Sequence, residues 1–386
     1  MELQKRNFIA LLRGAVCPHT QPVLEEPDYS AILSLAEGHS VTGLLYPPLK
    51  KLLPMTDPIL REMKKRSFTA ATRESLQNKE LQSIFAAFEE ARISVLPLKG
   101  CEIKSLYPYP ELRFMSDADL LVREETEGSV RKVLEALGFV FHKVDAADTD
   151  VYVSPLGLNY EIHKSLEGEG FHEASREFSK GLMDRAPCRE GFSYVRRLPP
   201  LEHYVYILIH FIKHFIYGGV GVRQLTDLYV CYGAWSLEDS VLEQRLRELD
   251  LWEFHKQLKK LWESWFEDAP WDDFTQELGE YILGSGVFGN ESQRATDRIL
   301  ANGQGSEYFL ARLFPPRETM VGFFPILRKC PILLPFLWIW RALRALLFRR
   351  HKLKYELKAV EHTDKDTLEL RRQFYANCGL RVYDKI

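Results

Sequence analysis

The stretch LPLKGCEIKSLYPYPELRFMSDADLLV, residues 96–122, decides how this chain folds. An apolar, strand-like run ends at Lys99-Gly100. A short helical segment follows. A second run then opens with Asp117 and Asp119 and continues as Leu120, Leu121 and Val122. Residues two apart on a strand point to the same face. Two carboxylates therefore share one face at the mouth of a buried strand, where they repel each other and lose hydration. Something positive, a metal ion or a basic side chain, is expected to offset that cost.

Working outward, ISVLPLK reads as a strand, GCEIKSLY as a short helix and DADLLV as a strand. EETEGSVRKVLEALG reads as a helix stopped at Gly138, a C-cap signal. FVFHKV, VYVS and LNYEIHKSL alternate like strands. This α/β part runs from about residue 92 to 166. Before it, apolar residues recur at three- and four-residue spacing, the mark of helices. After it, PPLEHYVYILIHFIKHFIYGG opens on Pro-Pro, suits a helix start and closes on Gly218-Gly219. Further helical stretches follow, including residues 222–235 and 240–266, and then a Gly-rich, polar connection over 285–308 with at most a short helix. The expected fold class is α+β. A small mixed β-sheet core over 91–198 follows an N-terminal helical segment (1–90). A helical domain (199–310) and an amphipathic, basic helical tail (311–386) complete the chain.

Bulk composition narrows the function classes. The chain has 386 residues, 46% hydrophobic and 27% charged, enough for two or three domains. A net charge of -3 gives no reason to expect a bulk nucleic-acid binder. Its six cysteines are scattered without a CxxC pair, which fits reduced thiols in a cytoplasmic setting. The N-terminus MELQKRNFIALLRGAVCP reads as an amphipathic helix rather than a signal peptide. The most apolar window, 330–348, is interrupted by Pro331, Pro335, Arg341 and Arg344, so it is not expected to span a membrane. The basic run RRHKLKYELK (349–358) follows it. Helix packing with a solvated basic end is the simpler reading of 330–358; the other is peripheral contact with an anionic membrane surface.

Glu161, in LNYEIHKSL, supplies a third carboxylate on a later strand. The plain reading of Asp117 and Asp119 is a turn aspartate beside a surface aspartate. The alternative is chemical. A turn at Lys99-Gly100 into a helix would offer backbone N–H groups to an anion. Three carboxylates on neighbouring strands beside such a turn would hold two Mg²⁺ ions, which activate an attacking hydroxyl and neutralise a triphosphate.

On these residues the sequence resembles the nucleotidyltransferase superfamily that includes DNA polymerase β. Within it, the likeness is to a branch of uncharacterised bacterial nucleotidyltransferase-family proteins. The superfamily pattern is Gly followed by Gly or Ser, a short helix, an Asp-hydrophobic-Asp or -Glu strand start, and a later strand carboxylate. LKGCEIKSLY, RFMSDADLLV and NYEIHKSL match in that order. The branch likeness includes Lys99-Gly100, Arg113, the His of EIHKSL, the segment from HFIKH to GGVGVRQLTDLYV, and LFPPRETM, and it covers about 90 to 350. Cys101 stands where the superfamily has Gly or Ser, and the gap to Asp117 is longer than the common spacing. The resemblance implies Mg²⁺-dependent transfer of a nucleoside monophosphate from an NTP, with ATP the expected donor, to an acceptor hydroxyl. Asp117 and Asp119 would hold the metal. Glu161 would complete the site and take the hydroxyl proton.

Several other residues carry two readings each. Lys99 is a surface lysine or a phosphate contact. Arg113 holds phosphate or pairs with the aspartates. Ser116 caps the pair. His163 shares a strand face with Glu161 and either orders it, touches the acceptor, or is an ordinary polar strand end. His210 and His214 are i, i+4. A zinc site there lacks an HExxH glutamate and a third ligand, so the pair is expected to line a cleft, with Lys213 offset. Arg223 and Asp227 are also i, i+4. They form a simple helix salt bridge, or Arg223 reaches phosphate while Asp227 orients it. A small-molecule acceptor is preferred over protein or RNA, because RNA needs clustered Lys and Arg. The non-enzymatic alternative is an inactive nucleotide-binding or interaction module, against which the three intact carboxylates count.

Overall fold

In the computed structural model, which describes residues 1–146, 148–286, 289, 291–302, 313–348 and 365–380, the strands form one five-stranded sheet. They are β1 (Val95–Pro97), β2 (Asp117–Val122), β3 (Val140–Ala146), β4 (Thr149–Val153) and β5 (Asn159–His163), in the order β1-β2-β5-β4-β3. β2 and β5 run parallel, and every other neighbouring pair is antiparallel. The sheet is mixed and helices surround it, so the fold is α+β.

Strand parity decides what each face does. Ala118, Leu120 and Val122 of β2, with Tyr160 and Ile162 of β5, are buried in one hydrophobic cluster. Phe85 and Phe88 of helix α2 (Pro58–Glu90) and Val130 and Leu134 of α3 (Glu127–Ala136) complete that cluster. The alternate residues, Asp117, Asp119, Glu161 and His163, fall on the opposite face. Asp57 caps the start of α2, its carboxylate accepting from the Ile59 and Leu60 N–H groups, and Pro58 supplies the first helical residue. Farther along, α2 pins the loop before β2. Arg73 donates to the Ser116 carbonyl at 3.2 Å, and Gln77 donates to that of Met115 at 3.1 Å.

A second, larger core joins the N-terminal and C-terminal helices. Phe8 and Leu12 of α1 (Leu3–Val16) share it with Phe211 and Phe215 of α4 (Pro200–Ile216). Phe254 and Trp262 of α6 (Trp252–Phe266), Ile282 of α7 (Asp273–Ser285) and Tyr375 join them. α4 starts at Pro199-Pro200 and ends at Gly218 (φ +128°) and Gly219 (φ +98°), whose N–H donates to the His214 carbonyl at 3.1 Å. α5 (Val222–Ala234) follows this turn at once. The periodic stretch 240–266 divides into two helices, Asp239–Glu248 and α6, at Asp250, where φ is +54°. The connection after α7 contains a full helix, Glu291–Asn302, longer than the sequence suggested. The apolar window forms α8 (Leu334–Phe348), while the basic run 349–358 lies outside the described residues. Among the described residues, no helix is long and apolar enough to cross a membrane.

Candidate active site

The parallel register sets Asp119 of β2 directly opposite Glu161 of β5, with Asp117 opposite Asn159 and Leu121 opposite His163. The expected positive partner is present. Lys99 Nζ lies 2.8 Å from Asp119 Oδ1. His163 Nε2 lies 2.9 Å from the same oxygen and 3.7 Å from Glu161 Oε2. His163 therefore orders Asp119 more closely than Glu161. Its other nitrogen, Nδ1, is 3.1 Å from Thr149 Oγ1, on the β4 residue that faces it in the sheet. A hydroxyl donating to Nδ1 leaves Nε2–H to donate to Asp119. The Ser116 hydroxyl donates to Asp117 Oδ1 at 2.7 Å.

The two facing carboxylates are shifted in opposite directions. Burial pushes the Asp119 carboxyl up, but Lys99 and His163 outweigh it and hold the group well below the usual carboxylate range. Glu161 feels Lys99 and His163 too, the latter at 3.7 Å, but they do not offset its burial and its acidic neighbours. Burial, then the charges of Asp119 and Asp117, push it up to about 7. Ligand atoms of Asp119, Glu161 and His163 all lie within 4.8 Å of one another. Two carboxylates and an imidazole suit a divalent cation. Asp117 sits beside this trio, with one oxygen committed to Ser116.

The Lys99-Gly100 turn works differently from expectation. The helix after it is a single turn, Gly100–Ile103. The Cys101 N–H donates to the Leu98 carbonyl, and the Glu102 and Ile103 N–H groups donate to Lys99, so these three are spent within the chain. Lys99 has φ +48°, uncommon for a residue with a side chain. The Leu98 N–H to the Asp119 carbonyl, at 3.0 Å, ties the turn to β2. Gly100 is required by packing. A Cβ there would lie 2.6 Å from Arg113 Nη1 and 2.8 Å from Met115 Sδ.

Arg113 does not pair with the β2 aspartates. Its Nε and Nη2 grip Asp227 of α5 at 3.0 and 2.6 Å, and Tyr107 adds a 2.7 Å hydrogen bond to the same carboxylate. The clamp is buried on both sides, where a planar guanidinium fork fits a carboxylate better than any other pairing. With Asp227 so occupied, the expected i, i+4 bridge to Arg223 is not the carboxylate's main contact. Among the described residues, the buried Arg223 Nε has no hydrogen-bond partner. Burial, and then the charge of Arg113, lower its pKa from the usual arginine value. On α4, the Nε2 atoms of His210 and His214 lie 3.1 Å apart.

All twelve residues singled out in the sequence line one cleft of about 400 Å³ between the sheet and helices α4 and α5. Lys213, which the sequence placed off the histidine face, lines it too, as do Gln224 and Thr149. Thr149 and Tyr107 carried no sequence signal. Each acts through a partner far along the chain, 14 residues away for Thr149 and 120 for Tyr107.

Residues 25–267, which contain the whole sheet, α4 and α5, match the family described as uncharacterised nucleotidyltransferase. A solved structure titled for the antibiotic-resistance factor ANT(2'')-Ia is 15% identical, with a TM-score of 0.34. That similarity covers 47% of this chain and 98% of the other. No curated protein matches the chain.

Proposed function

The chain belongs to the uncharacterised nucleotidyltransferase family, and from that premise we propose that it moves a nucleoside monophosphate from ATP to the hydroxyl of a small-molecule acceptor, with Mg²⁺. The observation that carries this reading is the in-register Asp119–Glu161 pair at the floor of a cleft whose opposite wall presents Lys213 and Arg223. Acid on one wall and base on the other is what a metal-bound triphosphate needs.

Each residue then has a task. Asp117, Asp119 and Glu161 would hold Mg²⁺, which would supply charge neutralisation for the triphosphate and the pyrophosphate. His163, itself held by Thr149, keeps Asp119 in one orientation. Glu161 accepts the proton of the attacking hydroxyl. Arg223, whose buried Nε finds no hydrogen-bond partner among the described residues, reaches the phosphates. Lys99 moves between Asp119 and phosphate. The Arg113–Asp227 clamp fastens α5, and so Arg223, to the segment that leads into β2. His210 and His214 line the acceptor side. A cleft of this volume and a net charge of -3 favour a small acceptor over RNA. The setting is the cytoplasm, with peripheral membrane contact through residues 330–358.

The test is incubation of the purified protein with each labelled NTP and Mg²⁺, with and without cell extract, beside an Asp117→Ala/Asp119→Ala variant. Label moved to a molecule of the extract, and lost in the variant, supports the reading and gives a handle on the acceptor. No transfer, with NTP binding equal in both proteins, overturns it and leaves a binding module.

A further inference from the structure

α8 is made almost wholly of apolar residues, LPFLWIWRALRALLF, yet the fold does not bury it. None of residues 331–344 is buried. A helix apolar all round belongs inside a core or against lipid. The most exposed large side chains are Phe336 (69%), Ile339 (59%), Trp340 (58%) and Leu343 (49%). Their spacing of three, one and three residues sets them in a single stripe. Ile332, one turn ahead of Phe336, is 84% exposed and extends it. The other side of the helix is what holds it to the protein. Trp338 Nε1 donates to the Pro315 carbonyl at 2.9 Å, and its ring packs edge-on to Phe314 at 5.3 Å.

Charge identifies what covers the stripe. From Thr319 to Tyr355 the sequence holds eight lysines and arginines and no aspartate or glutamate, within a chain whose net charge is -3. Lys329, five residues ahead of α8, and Arg344 within it are exposed. A two-fold dimer through this face would set positive against positive. An anionic lipid surface instead takes both the apolar side chains and the cations. At about 1.5 Å per residue, α8 is too short for a hydrocarbon core of about 30 Å, so it lies in the interface rather than across it.

We infer that α8 docks this protein on an anionic bilayer, with Phe336, Ile339, Trp340 and Leu343 sunk among the acyl chains and the flanking cations on the headgroups. This gives the peripheral contact proposed above a defined face and a lipid charge requirement. Docking is independent of the nucleotide chemistry, so either can fail without the other.

The full-length protein is sedimented with vesicles of pure phosphatidylcholine and with vesicles containing phosphatidylserine, at low and high salt. The expected result is pelleting with the anionic vesicles alone, weakened by salt, and reduced at least about tenfold in Phe336→Asp/Trp340→Asp. Both positions are exposed, so the variant should keep the wild-type circular dichroism melt. Brominated lipid should quench tryptophan fluorescence less in Trp340→Phe than in the wild type. Wild-type protein that stays in the supernatant with both vesicles overturns the inference. So does a dimer in sedimentation velocity that the double variant dissolves, which would assign the stripe to a second copy.

Discussion

At the residue scale, the site depends on which side chain satisfies which charge. Asp119 has two donors, whereas Glu161, its neighbour across the register, has neither to itself. His163 acts through Asp119. Removing it in His163→Ala should weaken Mn²⁺ binding about 10–100-fold, the usual cost of losing a ligand-orienting partner. Titration calorimetry with Mn²⁺ alone reads this without turnover, and unchanged affinity would remove His163 from the site. The Arg113–Asp227 clamp is a stability device. Asp227→Ala leaves a buried guanidinium with no carboxylate and should cost about 3–5 kcal/mol in urea unfolding. Arg113→Met/Asp227→Leu, which removes both charges, should recover much of that loss. A single variant as stable as the wild type would contradict the buried pairing.

At the element scale, the sheet works because parity and register agree. β5 alternates apolar and polar residues, as β2 does from Asp117 to Leu120, and the parallel pairing brings the two polar faces together at Asp119 and Glu161. One residue of slip would turn both carboxylates into the cluster beneath the sheet. The turn that enters this unit is equally constrained. Gly100→Ala places a methyl against Arg113 and Met115, and Arg113 cannot swing away because Asp227 holds it at two points. The expected cost is about 1–3 kcal/mol in urea unfolding, typical of overpacking a filled site. A neutral effect would mean that the β1–β2 connection yields more easily than its contacts suggest. The strands and helices around the sheet were legible because each carries its own period, and some stop at a glycine, as at Gly138 and Gly218. The division of 240–266 was not, since Asp250 offers no glycine to announce a left-handed residue.

At the scale of the whole molecule, one helical core ties the N-terminal helix to residues beyond 370, and it buries titratable groups that take no part in the cleft. His203 on α4 is 2% exposed, and its Nε2 has no hydrogen-bond partner among the described residues. Burial, with Arg197 nearby, lowers its pKa from 6.5 to about 3. Between those values the unfolded chain binds a proton that the native state refuses. The contribution to stability is therefore complete above pH 6.5 and is lost as the pH falls toward 3. His203→Phe removes that proton from the balance. Over pH 6 to 4 its stability should fall less steeply than that of the wild type, by about 1.4 kcal/mol per pH unit. Urea titrations at several pH values measure both slopes, and parallel slopes would show that His203 is charged in the folded protein.

The sequence by itself determined the α+β class, the strands and their polar faces, and the short set of side chains from which a site could be built. Those features rest on local patterns: the two-residue period of DADLLV and NYEIH, the helix ends at Gly138 and Gly218-Gly219, and the turn at Lys99-Gly100. Only the tertiary structure decided the pairings within that set. Arg113 had Asp117 and Asp119 close by in sequence and Asp227 far away, and it took the far one, 114 residues on, because that carboxylate is buried beside it. Asp119 was left to Lys99 and His163, Arg223 lost its neighbour four residues along, and Thr149 became a support for the site. Charge pairs are chosen by depth and orientation after the chain has packed, and neither is written in the spacing of the residues.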